Sequence, residues 1–330
     1  MKLMFIFSGE HPELPKAELE AVLEGESISY KKILENKAQR ILVVDTDCDD
    51  STFIRRLSFT KKVGEFISLS DDINGTAEMI YDRIRNAKDF AIRCKSHRIE
   101  EDIGHILTKR GLKVNLKNPE KEVICINVNG RIISAINIPI EKGFNERLPQ
   151  KRPYFHPTSL HPKIARLLVN LSRVKKGDTI LDPFCGTCGI LIEAGLMGIN
   201  VNGYDIDDRM VEGCRRNLEF FGINGKIERR DALNINNKIN EDKMNKIKFD
   251  SIVTDLPYGR SSYLTEKNLD IFYRNFIRMA EKLLNKGSYL VFVVPKDIEI
   301  ISDLFEIKDK FLLYVHKSLT RRIYVLKRKV

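Results

Sequence analysis

Leu181-Asp182-Pro183-Phe184-Cys185-Gly186-Thr187-Cys188-Gly189 is the stretch on which the reading of this chain turns. It sets an aspartate at the end of the short apolar run 179–182, follows it with small residues, and opens into the apolar periodicity of 189–197. That is the pattern of a strand turning tightly into a helix, where small residues let the backbone approach a ligand at the carboxyl edge of a parallel sheet. A dinucleotide loop needs G-x-G-x-x-G so that a pyrophosphate can rest on the helix N-terminus, and here no third glycine follows Gly186 and Gly189. A strand-end carboxylate suits a ligand that carries a positive charge.

Downstream, strands are expected at 179–182, 200–205, 226–230, 249–255 and 288–294, and helices at 162–174, 189–197, 207–221, 268–286 and 297–305. This regular alternation implies a parallel sheet with helices on both faces. Two last strands, 311–316 and 322–328, follow each other across a short turn. Such a terminal hairpin supplies the antiparallel seventh strand common in sheets that hold S-adenosylmethionine, which dehydrogenase sheets lack. The expected class is therefore α/β, a Rossmann-like sheet of seven strands with the last antiparallel, and the expected cofactor is S-adenosyl-L-methionine. Asp182 would face its methionyl amine and the following helix N-terminus its carboxylate, with Phe184, Cys185, Gly186 and Cys188 in the loop around it. Asp205 ends the next strand, where a carboxylate can accept from both ribose hydroxyls. Asp231 ends the third, where it can accept from the adenine amine between the apolar walls Ile206 and Ala232. Asp207 and Asp208 are assigned to the start of the following helix.

Asp255-Leu256-Pro257-Tyr258 sits after the fourth strand, on the same rim. An exocyclic purine amine is a poor nucleophile because its lone pair is delocalised into the ring. The Asp255 carboxylate and the Leu256 carbonyl can both accept from its hydrogens and draw the lone pair out, Pro257 holds the turn, and Tyr258 can stack on an extruded base. An ionised carboxylate offers only acceptors and so matches the two donors of guanine, N1–H and the N2 amine. Aspartate also serves at this place in adenine methyltransferases, so residue type alone leaves adenine open.

The charge of +10 lies in the second half, with 32 Lys and Arg against 22 Asp and Glu over 151–330 and 24 against 24 over 1–150. Within the balanced half, residues 83–117 hold ten basic and four acidic residues, a band that suits a polyphosphate and is equally the mark of a solvated surface. Arg93, Lys95, Arg98, Lys109, Arg110, Lys113 and Lys117 are the RNA-contact candidates there, with Arg260 after the Asp255 loop. Prolines at 139, 149, 153, 157 and 162 mark a linker over 141–161. Before it the pattern is α+β, read as one unit over 1–60 and a second over 61–140. Its strands and helices are expected at 3–7, 12–24, 28–34, 40–45, 50–57, 65–69, 76–87, 90–94, 99–110, 122–128 and 131–138, with Asn129-Gly130 as a hairpin turn. After the linker, 162–330 is the nucleotide-binding sheet.

The segment 152–330 resembles the amino-methylating, S-adenosylmethionine-dependent methyltransferases. Asp255-Leu256-Pro257-Tyr258-Gly259-Arg260-Ser261-Ser262 closely resembles the D-P-P-Y-G-R-S-S stretch of archaeal tRNA (guanine-N2) methyltransferases acting at position 10. Phe90-Ala91-Ile92-Arg93-Cys94-Lys95 and Val114-Asn115-Leu116-Lys117-Asn118-Pro119 resemble the recurrent phrases of a THUMP domain. Arg152-Pro153-Tyr154-Phe155-His156-Pro157-Thr158-Ser159-Leu160 is similar to the same family's approach to the catalytic domain. The resemblance implies a tRNA partner, held by the THUMP domain and the unit before it, and addition of one or two methyl groups to guanosine N2. The target could be another tRNA or ribosomal RNA guanosine, and a non-catalytic RNA-binding protein is the rival from a different class.

Two residues depart from the family pattern: Cys188 stands where glycine is usual and Leu256 where proline is. Cofactor binding is expected to survive the first if the backbone at Cys188 keeps φ negative. The six cysteines show no disulfide framework, so reduced thiols are expected, and the C-x-x-C spacing of Cys185 and Cys188 lacks a second pair that would point to a metal. His156 and His161 are expected as hydrogen-bonded surface residues. No run of 18 apolar residues occurs, so no membrane contact is expected and the location is read as cytoplasmic; a protein partner is not required.

Overall fold

The computed structural model describes residues 1–233, 248–257, 266–316 and 319–330. They form two compact units, one of 1–10, 28–55 and 59–141, the other of 11–27, 56–58 and 142–330.

In the first unit, alternating apolar residues build β1 (Lys2–Phe7), β2 (Tyr30–Asn36), β3 (Ile41–Thr46), β4 (Thr60–Ser70), β5 (Phe90–Cys94), β6 (Lys121–Val128) and β7 (Arg131–Ile138). All seven join one sheet in the order β2-β3-β1-β4-β7-β6-β5, parallel only between β5 and β6. The sequence-drawn border at 60/61 therefore falls within one sheet, after the first residue of β4, and would part that strand from β1, with which it pairs antiparallel. Asn129 and Gly130 both have positive φ, as the tight β6–β7 hairpin requires. Helices α2 (Ile73–Ile84) and α3 (His97–Lys109) bury Ala77, Ile80, Ile103 and Leu107 in a core shared with Phe90, Val123 and Ile132.

The second unit takes its first helix from far upstream. The helix Leu14–Gly25, α1, packs on α4 (Pro162–Leu171), and a buried polar network fixes the contact. Glu18, fully buried, accepts from the Ser58 N–H at 2.8 Å and from the Asn170 amide at 2.8 Å, while Arg56 donates to the Val174 carbonyl at 2.6 Å and pairs with Glu26. The segment read as a linker is likewise packed into this unit, with turns at Phe144–Arg147 and Pro149–Lys151 and a buried Arg152.

The second sheet contains β8 (Thr179–Asp182), β9 (Asn200–Asp205), β10 (Gly225–Arg229), β11 (Phe249–Asp255), β12 (Leu284–Pro295), β13 (Phe305–His316) and β14 (Leu319–Arg328), in the order β10-β9-β8-β11-β12-β14-β13. β8 to β12 run parallel, and β14 lies antiparallel between β12 and β13. Strand order reverses between β8 and β11, which opens the crevice where such sheets bind ligands. Helices α5 (Gly189–Leu196), α6 (Asp208–Phe220) and α7 (Glu266–Leu283) complete the alternation. No helix forms at 297–305. Main-chain bonds to the Tyr324 hydroxyl, from Ile300 N at 3.1 Å and to Ile298 O at 3.0 Å, hold that segment non-helical, and β13 begins at Phe305.

Candidate active site

A cavity of about 970 Å³ opens at the carboxyl ends of β8, β9, β10 and β11, and the strand-end carboxylates Asp182, Asp205, Asp231 and Asp255 all line it. Strand polarity brings them together: in parallel strands every carboxyl end falls on one rim.

Asp182 is buried at the floor. Its Oδ1 accepts from the Thr254 hydroxyl at 2.7 Å and from Phe184 N at 3.2 Å. Burial pushes its carboxyl up to about 7, against the pull of those two bonds, and the charges of Asp255 and Asp205 add to the rise. Asp205 ties the loop to β9, its Oδ2 accepting from Gly186 N at 2.9 Å and its Oδ1 from Asp207 N at 3.0 Å. Each oxygen keeps a second lone pair for a ligand. Asp207 caps α6 through Arg209 N, as read from the sequence. Asp231 accepts from Leu233 N at 3.0 Å, with buried Ala232 beside it and Ile206 exposed at the cavity rim. Phe184 lines the cavity and packs its ring on Phe272 and Phe276, and Cys185 and Gly186 line it too.

Cys188 does not reach the cavity. It caps α5 with φ at +64°, so the condition of a negative φ is not met, and its fully buried side chain turns away to form a disulfide with Cys214 on α6. The expectation of six reduced thiols is corrected at this pair. A side chain in the left-handed region costs on the order of 1 kcal/mol relative to glycine. Cys185 places its sulfur near both, and burial raises its thiol well above the ordinary range.

Asp255 ends β11, followed by buried Leu256 and exposed Pro257, and all three line the cavity. Burial pushes the Asp255 carboxyl up to about 6, with the Arg321 guanidinium pulling it down. Tyr258 and Arg260 lie outside the described residues. The remaining RNA candidates all lie in the first unit. Lys95, Arg98, Lys109, Arg110, Lys113 and Lys117 are exposed, whereas the half-buried Arg93 guanidinium is engaged by Glu122 and by the Leu116 carbonyl at 2.6 Å.

Other residues that shape the site were not read from the sequence. Asn217, buried on α6, accepts from Tyr154 N at 2.9 Å and donates to Tyr154 O at 3.0 Å and Thr187 O at 3.1 Å, joining the 152–160 segment to the loop. A polar residue among the buried positions of an amphipathic helix was the available signal. Beneath the loop, Glu193 on α5 is fully buried between Arg147, at 2.6 Å, and Arg166, at 2.7 Å. His156 and His161 border the cavity with their rings bonded locally, His156 to the Thr158 hydroxyl and His161 to Lys163 N.

A family model described as an RMKL-like methyltransferase domain matches residues 149–323, and one described as a DNA methylase matches 17–216. The tRNA (guanine(10)-N2)-dimethyltransferase of Methanothermobacter thermautotrophicus is 39% identical over 99% of this chain and 100% of its own. That of Methanocaldococcus jannaschii is 34% identical over 98% and 99%. The crystal structure of TrmN from Thermus thermophilus matches with a TM-score of 0.58 at 17% identity, covering 99% of this chain and all of that one, a likeness of fold. With identity at this level across the full length of both chains, this chain belongs to the tRNA (guanine(10)-N2)-dimethyltransferase family.

Proposed function

We propose that the chain methylates the N2 amine of a guanosine in tRNA, at position 10, adding one and then a second methyl group from S-adenosyl-L-methionine. The observation that carries this reading is the Asp255–Leu256–Pro257 turn in one cavity with the strand-end carboxylates, where the buried Asp255 Oδ1 has no hydrogen-bond partner among the described residues.

The residues fit the cofactor. Gly186, with φ at +49°, faces open space that a Cβ would enter, so its backbone can approach a ligand. Asp182 would hold the methionyl ammonium, Asp205 the ribose hydroxyls and Asp231 the adenine amine, with Phe184, Cys185, Ile206 and Ala232 as walls. When bound, the cofactor supplies a methyl group on a sulfonium, an electrophile needing no further activation. The protein's task is then the nucleophile. Asp255 Oδ1 and the Leu256 carbonyl accept the amine hydrogens and localise the lone pair, and Tyr258 is assigned the stacking role on the flipped base. A carboxyl near 6 is ionised at neutral pH, yet basic enough to take the proton released after transfer.

The first unit is assigned the tRNA-binding role, as a THUMP domain over 61–140 together with the strands before it. The exposed Lys95, Lys109, Lys113 and Lys117 support this, as does the loop that shows Val114 and Leu116 between the last two lysines. No described helix is long and apolar enough to cross a membrane.

The test is nucleoside mass spectrometry with position mapping after incubating the protein with unmodified tRNA transcripts and S-adenosylmethionine. N2-methylguanosine and its dimethyl form at position 10 are expected. Methylation at another guanosine would move the target, and methylated adenine would overturn the reading of Asp255.

A further inference from the structure

The terminal strand brings a charged residue to the site that the reaction as described does not use. Asp255 pairs with Val293 in β12, and Val293 pairs with Ile323 in β14. Side chains of laterally paired residues share a sheet face, and so do residues two apart on a strand, which puts Arg321 on the face of Asp255 at the same rim. There the Arg321 Nη1 donates to the Asp255 Oδ2 at 3.0 Å, both side chains are largely buried at 15% and 19% exposure, and both line the cavity.

We propose that Arg321 is a positioning residue for Asp255: its guanidinium takes one carboxylate oxygen so that the other is presented, alone, to the amine that receives the methyl group. This rests on the N2-methylation reading above and deepens it. A carboxylate with both oxygens free turns about its Cβ–Cγ bond and offers either one. A fixed contact on Oδ2 sets the plane of the group, so no rotational freedom is lost when the substrate arrives. It leaves Oδ1, buried and unpartnered among the described residues, as the acceptor for the N2 hydrogen. The second lone pair of Oδ2 still accepts from guanine N1–H. Arg321 also supplies a cation in a cavity lined by several acids, where the charges of Asp255 and Asp205 both act on Asp182.

The experiment uses the full chain with Arg321→Gln and Arg321→Lys. Rates of methyl transfer to tRNA are measured from pH 5 to 9, with S-adenosylhomocysteine and tRNA affinities taken on the same preparations. In Arg321→Gln the acid limb of the kcat profile moves up by roughly one pH unit, so that the loss at pH 6 exceeds the loss at pH 8 by roughly fivefold, with both affinities unchanged. Arg321→Lys keeps the charge without the planar fork and moves the limb less, while lowering kcat across the range. An acid limb that stays in place, or cofactor and tRNA affinities that fall with the rate, overturns the proposal. The carboxyl carbon-13 titration of Asp255 in the cofactor-free protein, identified by its absence in Asp255→Asn, gives a second reading. Its midpoint rises in Arg321→Gln, and a midpoint that does not move overturns the proposal. If the parent protein makes no N2-methylguanosine, that failure belongs to the functional reading, and the titration still tests Arg321.

Discussion

Cofactor affinity should depend on pH through Asp182. In the cofactor-free protein this buried carboxyl titrates at about 7, well above its usual 3.8. A methionyl ammonium needs the ionised form, so binding competes with a proton. The apparent dissociation constant is then multiplied by 1 + 10^(7 − pH), about twofold at pH 7 and about 11-fold at pH 6, with a plateau above pH 8. Calorimetry with S-adenosylhomocysteine, which keeps the amine and does not react, reads this directly. At pH 6 binding releases about 0.9 proton, seen as a difference in heat between phosphate and imidazole buffers. Asp182→Asn should bind more weakly at pH 8 and with a flat profile. The same shift acts on stability. Between about pH 4 and 7 the folded carboxyl holds a proton that the unfolded chain has lost, so its contribution is complete in acid and is lost as pH rises through 7. Asp182→Asn should therefore gain melting temperature on the parent as pH rises from 4 to 8. An affinity that stays constant from pH 5.5 to 8, with equal heats in the two buffers, would refute the assignment of Asp182 to the ammonium.

Asp255→Ala should abolish methyl transfer while S-adenosylhomocysteine and tRNA still bind; loss of both affinities would show a structural role instead. Glu193→Gln leaves Arg147 and Arg166 buried without their counter-charge and should cost about 3–5 kcal/mol in urea unfolding, with the cofactor loop more exposed to proteolysis. Lys113→Ala with Lys117→Ala should weaken tRNA binding and flatten the slope of log K against log salt by about 1–2, and an unchanged slope would place the RNA elsewhere.

The site was legible in the sequence to the extent that strand polarity dictates it. Asp182, Asp205, Asp231 and Asp255 each close a segment read as a strand, and parallel strands send all their carboxyl ends to one edge. What was not legible depends on contacts between distant segments. The apolar spacing of Ile298, Ile300, Ile301 and Leu304 reads as a helix, but the Tyr324 hydroxyl claims the main chain there. Cys188 departs from a glycine pattern, and only its pairing with Cys214 on the next helix shows where its side chain goes. Arg321 looks like one of many strand-end cations until the registers of β11, β12 and β14 align it with Asp255. Glu18 reads as an ordinary helix-surface acid, since nothing near it in sequence announces Ser58 and Asn170.

The upstream origin of α1 bears on how the protein is made and inherited. The chain passes between its units at 10/11, 27/28, 55/56, 58/59 and 141/142, so no single cut separates them. During synthesis α1 leaves the ribosome well before α4, and Glu18 must wait in water until Asn170 emerges. The second unit cannot be completed during synthesis while the first is still being made. For the same reason it cannot travel as a cassette: a gene fusion that joined residues 142–330 to a different module would leave Asn170 and the α4 face without their cover. Replacement of the first unit has to proceed within the loops between its strands, with α1 and residues 56–58 retained.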